Sequence, residues 1–367
     1  MNGGAVNNNS NLQVVNSTFY NNSATDSGSG IYNDDYMGGI GTMTLRVFNS
    51  TFSNNSAPAI YHNGNIMSIK NSILANSVSG VDCYNNGKTV IDSINNLIEN
   101  NAASPNECGT PALTSNPTLG PLVDNGGLTK TMALLPNSPA IDAGDNSTCS
   151  EADAVNNLDQ RGAARPYGSH CDIGAYELKT GKQTFKSQGK NDGWVLEQFE
   201  TSGKGGIKNS SSKVFYVGDD AYNRQYRGIL SFNTNGIPDN PVITSVKLKV
   251  KKAGLVGRNP FSTHKGLRVD IRKSKFGTSP KLQISDFQAK ASKNLVGKFS
   301  SKAVSKWYTA NLGSAAYTCI NKTSTTQFRL RFYKDDNNDF GADYFKFYSG
   351  NVGLSSRPQL IVEYYVP

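Results

Sequence analysis

The chain has 367 residues, about twice an ordinary domain, so a single small domain is excluded and two cores are expected. Only 18% of residues are charged, and Gly and Asn, both poor in helix interiors, are abundant, which excludes a coiled coil. The net charge of +9 conceals a division: up to Leu178, 6 basic residues stand against 15 acidic ones (−9), and beyond it 31 stand against 13 (+18). Asparagine divides the same way, 29 against 13. These shifts place a first domain over residues 1–178, a linker over 179–184 and a second domain over 185–367. No run approaches the roughly 18 apolar residues of a membrane-spanning helix, and Met1 is not followed by a basic and then apolar leader.

The first domain repeats itself. Asn16-Ser-Thr-Phe-Tyr-Asn-Asn-Ser-Ala24 recurs as Asn49-Ser-Thr-Phe-Ser-Asn-Asn-Ser-Ala57, and more loosely from Asn71 and from Asn95. The spacings are 33, 22 and 24 residues. A short alternating segment precedes each copy: Leu12-Gln-Val-Val15, Leu45-Arg-Val-Phe48, Met67-Ser-Ile-Lys70 and Ile91-Asp-Ser-Ile94. A strand, an Asn at a corner and a second strand every 22 to 24 residues describe one coil of a parallel β-helix. The longer spacing adds a polar loop within residues 26–42. Asn suits these corners because it tolerates the left-handed backbone, and its amides can stack along the axis, so the asparagines are read as structural.

From Asn116 the repeat gives way to Gly and Pro, as expected of a cap over the last coil. Leu135-Pro-Asn-Ser-Pro-Ala-Ile-Asp-Ala-Gly-Asp145, Asp159-Gln-Arg-Gly162, Arg165-Pro166 and Cys171-Asp-Ile-Gly-Ala-Tyr-Glu177 follow in order. Together these strings resemble the closing segment of bacterial right-handed parallel β-helix surface proteins of the choice-of-anchor or polymorphic outer-membrane type. The resemblance covers about 160 residues and implies a secreted or cell-surface protein. Since Gly3-Gly4 already falls inside a coil, it also implies N-terminal coils and a signal peptide outside this sequence. Cys83, Cys108, Cys149 and Cys171 permit three disulfide connectivities, of which proximity suggests Cys83 with Cys108 and Cys149 with Cys171. Cys319 is left over as a buried thiol. Zinc is disfavoured, because there is no C-x-x-C, and His170 beside Cys171 is not a site.

The second domain changes to aromatic and β-branched strands over residues 213–217, 228–232, 242–250, 267–271, 327–332 and 358–366. Many short strands in about 185 residues predict a β-sandwich of the jelly-roll kind, so the whole chain is expected to be all-β. Asp192-Gly-Trp-Val-Leu-Glu197, Gly218-Asp-Asp-Ala-Tyr-Asn-Arg-Gln-Tyr-Arg-Gly-Ile-Leu-Ser-Phe232 and the closing strand resemble the DNRLRE-type domain, related to carbohydrate-binding modules attached to some alginate lyases. That resemblance implies polysaccharide as partner.

Val246-Lys-Leu-Lys-Val250 and Phe328-Arg-Leu-Arg-Phe332 each alternate one apolar and one cationic face. If the two faces are contiguous, Lys247, Lys249, Lys251 and the following Lys252 join Arg329 and Arg331 in a basic surface that attracts an acidic polysaccharide. Trp194, and more weakly Trp307, could stack on sugar rings. Asp335-Asp-Asn-Asn-Asp-Phe-Gly-Ala-Asp343 spaces Asp335, Asn337, Asp339 and Asp343 as a tight loop spaces oxygen ligands for Ca²⁺, with Gly341 allowing the turn. It is not an EF-hand, because Lys346 occupies the twelfth position; the ion would be structural. Asp219-Asp220 with Arg224 and Arg227 reads as an ion-pair cluster before a ligand site.

β-Helix proteins that cleave acidic polysaccharides use a basic residue with carboxylates or Ca²⁺. His62, Lys70, Lys88, Asp82 and Asp92 are the candidates here, but they are scattered singly. No nucleophile or phosphate-loop motif stands beside them, and nucleic acid is disfavoured as a partner. The sequence therefore predicts a polysaccharide-binding surface protein with the β-helix as stalk, and as the alternative a lyase or hydrolase with its site on the β-helix.

Overall fold

A computed structural model describes residues 2–34, 43–56, 58–238 and 240–366. Part of the long polar loop expected within residues 26–42 lies outside them. The chain divides into two compact units, residues 1–180 and residues 181–366.

The first unit is built of coils, each turning through three short strands. The first holds β1 (Val6–Asn8), β2 (Leu12–Val15) and β3 (Thr18–Tyr20), and the second β4 (Ile31–Asp34), β5 (Thr44–Phe48) and β6 (Thr51–Ser53). β7 (Ile60–Asn63), β8 (Ile66–Lys70) and β9 (Ile73–Ala75) make the third, and β10 (Cys83–Asn85), β11 (Thr89–Ile94) and β12 (Leu97–Ile98) the fourth. Like strands of successive coils pair in parallel, giving three four-stranded sheets stacked as β-helix rungs. The four alternating segments read from sequence are β2, β5, β8 and β11. Their inward residues Val14, Leu45, Val47, Met67 and Ile69 form the core with Ile31, Phe52, Ile60 and Leu74.

The asparagines make the corners. Asn16, Asn49, Asn71 and Asn95, between the second and third strand of each coil, have φ of 45° to 48°, and Asn21, Asn54 and Asn76 after the third strand have 56° to 57°. Their amides do more than stack on one another. The chain returns past the first row of corners, where Asn95 donates to the Ala143 carbonyl at 3.0 Å, Asn71 to that of Asp145 at 3.0 Å and Asn16 to that of Leu158 at 2.9 Å. The cap therefore runs back along the coils as well as closing them. It contains the hairpin β13 (Leu119–Val123) and β14 (Thr131–Leu134) and a single helical turn, α1 (Asn146–Cys149).

Both disulfides form as proximity suggested, Cys83–Cys108 and Cys149–Cys171, and Cys319 is a buried free thiol. The strings that carry the first family resemblance fold into a buried ionic knot. Arg165, fully buried, donates to the carbonyls of Asp172 and Gly174 and faces Glu177 at 3.7 Å. Arg161 pairs with Asp159 at 2.9 Å and lies 3.7 Å over the Tyr176 ring. Burial pushes both Asp172 and Glu177 up from their ordinary values, with the charge of Glu177 adding to the rise at Asp172 and that of Asp159 to the rise at Glu177.

In the second unit, the stretch expected as a linker is a strand, β15 (Lys179–Lys186). β16 (Gly193–Glu197), β17 (Gly205–Asn209), β18 (Val214–Asp219), β19 (Gln225–Asn233) and the 15-residue β20 (Val242–Val256) follow. After the turn α2 (Pro260–Thr263) come β21 (Leu267–Lys273), β22 (Lys293–Phe299), β23 (Trp307–Leu312), β24 (Thr325–Phe332), β25 (Asp343–Tyr348) and β26 (Gln359–Val366). The expectation of an antiparallel all-β domain is met, but the pairing does not separate into the two sheets of a jelly-roll sandwich. Eight strands close a circuit, β20-β23-β22-β21-β24-β19-β18-β25 and back to β20, an antiparallel barrel. β20 closes it by changing partner: residues 242–249 pair with β26 and residues 252–256 with β25. Val246, Leu248 and Val250 point into a core shared with Phe215, Phe232, Phe328, Leu330 and Phe347. A second, smaller core of Val195, Ile229, Phe276, Leu282 and Phe287 lies on the other face of β16 and β19, beneath residues 274–291.

Candidate functional site

Because Val246, Leu248 and Val250 are buried, the period of two along β20 turns Lys247, Lys249 and Lys251 outward together. On β23 the register places Asn311 beside Lys247, Thr309 beside Lys249 and Trp307 beside Lys251. The ammonium groups of Lys249 and Lys251 lie 5.4 and 5.8 Å from the centre of the Trp307 ring, within cation–π range. Lys251 also donates to the Ser356 hydroxyl at 3.0 Å. β26 and β15 extend the same face. Burial and the charge of Lys249 pull Lys186 below its ordinary value, a sign that these cations crowd one another. Glu363 answers part of this charge, 3.1 Å from Lys182 and 3.9 Å from Lys247. The hydrogen bond from Lys182 holds its carboxyl below the usual range.

A row of cations also crosses the strands. Lys247 stands opposite Asn311, Asn311 opposite Lys298 of β22, Lys298 opposite Arg268 of β21, and Arg268 opposite Arg331 of β24. Directly opposed residues share a face, so β20 and Arg331 are linked although three strands separate them. Lys298 and Arg268 were not singled out from sequence, because only register reveals them.

Arg329 does not join this surface. It is 5% exposed, pairs with Asp270 at 3.0 Å and donates to the carbonyls of Asp286, Phe287 and Ala289. Residues 274–291 cover it. Arg331 is held to the same Asp270 at 3.1 Å, which blunts its charge at the end of the row. Arg227 is also drawn under this cover, 3.8 Å from the Phe287 ring, and burial with the charges of Arg329 and Arg331 lowers it to about 9. Asp220 and Arg224 form a local ion pair at 2.7 Å.

Trp194 lies on β16, outside the basic face. It stacks on Tyr216 at 5.2 Å and meets the edge of Tyr226 at 5.1 Å, and Tyr344 completes the cluster. Its ring is engaged by protein, so of the two tryptophans Trp307 is the one beside the lysines.

Of the four residues expected around Ca²⁺, three lie in contact. Asn337 donates to both Asp339 and Asp343 at 2.9 and 3.0 Å, Asp339 faces Arg258 at 3.3 Å, and Asp335 is exposed. Among the described residues, no group of three or more His, Cys, Asp or Glu is placed to hold a metal ion.

No known protein family matches the chain, and no curated protein matches it.

The candidates on the β-helix do not converge. Lys70 pairs with Asp92 at 3.4 Å on the sheet of β8 and β11. Asp82 is buried and accepts from the backbone of Ser77 and Asn100, a turn-closing role. Lys88 is exposed. His62 is fully buried on the sheet of β4 and β7, its Nδ1 3.0 Å from the Asn33 amide. Burial, with a smaller contribution from Lys88, lowers His62 to about 4. A base whose pKa falls on folding contributes stability above its unfolded value near 6.5, lost as pH drops toward 4. The difference amounts to about 3 kcal/mol. We expect the stability of the first unit in wild type, relative to His62→Asn, to fall by that amount between pH 7 and pH 4. A difference flat with pH would show His62 titrating normally.

Proposed function

We propose that this protein binds acidic polysaccharide through the lysine face of its second unit, with the β-helix as a structural stalk in a secreted or cell-surface setting. The observation that carries this reading is the column Lys247, Lys249 and Lys251 beside Trp307, continued in register to Lys298 and Arg268. A linear polyanion can meet several of these cations at once, and the indole adds an apolar surface for a pyranose face. The two disulfides suit an oxidising compartment, and among the described residues no helix is long and apolar enough to cross a membrane.

In this reading Ca²⁺ is at most structural. It would draw on the buried, unpartnered Asn337 Oδ1 and release Asp339 from Arg258. A Ca²⁺-dependent rise in Tm that Asp339→Ala abolishes would establish the ion; a Tm indifferent to chelator would reject it.

Immobilised polyuronate tests the function. The full chain should be retained at low salt and released near ~0.5 M, where the screening length is only a few ångströms. Retention on neutral glycans alone would refute the reading.

A further inference from the structure

A pocket of about 620 Å³ opens beside the lysine column, lined by Phe261, Lys265, Lys298, Ser300, Thr309 and Asn311 among others. Two of its walls are already part of the basic face, since Thr309 and Asn311 are the cross-strand partners of Lys249 and Lys247. The pocket is thus continuous with the column. From Trp307 to Asn311 the strand advances about 13 Å, enough for more than one sugar residue.

Its chemistry is that of a sugar subsite. Lys265 and Lys298 are exposed. They supply positive charge; Thr309 and Asn311 supply a hydroxyl and an amide able to donate and accept. Phe261, partly buried against the core, contributes only what its packing on Tyr308, Phe332 and Phe345 leaves open, an apolar edge fixed in place. Gly266 leaves room for the Lys298 stem: it has φ +88°, and a Cβ there would lie 2.8 Å from Lys298 Cε. A hydrated monovalent ion would use the lysines but not the apolar edge or the amide. An apolar ligand would leave both ammonium groups unanswered.

Resting on the function proposed above, we infer that this pocket is a subsite for one carboxylate-bearing sugar residue of a chain that also crosses Lys249 and Lys251. The face then reads an oligouronate of defined length instead of acting as a diffuse patch of charge.

Calorimetric titration of the full chain with mono-, di- and tetra-galacturonate tests this. Affinity should rise from one to four residues, and carboxyl-reduced tetrasaccharide should bind at least tenfold more weakly. Lys298→Ala with Asn311→Ala should weaken the tetrauronate on the order of tenfold, the loss of one charge-assisted and one neutral contact. Because Lys298 also belongs to the cationic row, the same variant should leave the polymer at a lower salt concentration than wild type, the loss of one cation among several. An unchanged tetrauronate affinity in that variant, while wild type binds the polymer in a salt-dependent way, would overturn the subsite and leave the surface reading standing. Failure of wild type to bind polymer at all would overturn both. Should the double variant fold poorly, Lys298→Gln alone, at an exposed position, gives the same reading.

Discussion

Replacing Arg329 with Leu is expected to destabilise the second unit by about 3–5 kcal/mol, the usual cost of leaving one member of a buried ion pair behind. Asp270 is fully buried. Burial alone would raise its pKa, but Arg331, the Leu295 amide and Arg329 outweigh that and hold it below its ordinary value. Its contribution is therefore present at neutral pH and is lost as pH falls through the carboxylate range. Removing Arg329 takes away the guanidinium that meets Asp270 through both Nε and Nη2 and also frees three carbonyls. Both tryptophans, Trp194 and Trp307, lie in this unit. Denaturant unfolding followed by their fluorescence isolates it, and the midpoint should move while the transition of residues 1–180 does not. Asp270→Asn in the Arg329→Leu background should cost less than the two single losses added, because a buried carboxylate left with Arg331 alone is then neutralised. A shift under 1 kcal/mol for Arg329→Leu would mean that the guanidinium is solvated and belongs to the binding surface after all.

Asn71→Ala is expected to cost the first unit about 3 kcal/mol or more. Asn71 is fully buried, with φ 47°, where a side chain other than Asn or Gly is penalised by about 1–2 kcal/mol. Its amide donates to the Asp145 carbonyl at 3.0 Å and its carbonyl accepts from the Asp145 amide at 2.8 Å, which ties the coil to the returning segment. Each partner left unsatisfied adds about 1–3 kcal/mol. Asn71→Gly relieves the backbone and loses only the hydrogen bonds, so it should be milder than Ala by about 1 kcal/mol. Circular dichroism, or the calorimetric transition that tryptophan does not report, measures both. Equal losses for Ala and Gly would show that the left-handed corner carries no cost.

These two residues mark what the sequence could and could not disclose. Asn71 was legible because the repeat placed an Asn after every alternating strand, and only a corner needs that residue at that interval. Arg329 misled, because Phe328-Arg-Leu-Arg-Phe332 shows only that one face is apolar and the other cationic. That residues 274–291 fold over the cationic face depends on Phe276, Leu282 and Phe287, and no local pattern announces their destination. β15 was hidden for the opposite reason: Lys179-Thr-Gly-Lys-Gln-Thr184 has no apolar alternation, which a strand lying beyond β26 at the margin of the sheet does not require. Register decided between the tryptophans. Trp307 meets Lys251 across 56 positions of sequence, a pairing that spacing alone does not reveal.

The most direct test of the lysine face is the salt dependence of polyuronate affinity for the full chain. Several cations meeting a polyanion release several counterions, so log K should fall linearly and steeply with log salt concentration. Lys247→Glu, Lys249→Glu and Lys251→Glu together should abolish binding at moderate salt, while far-ultraviolet circular dichroism reports an intact fold. Single changes should each flatten the slope by about one unit. Undiminished affinity in the triple variant, or a wild-type affinity indifferent to salt, would contradict the account.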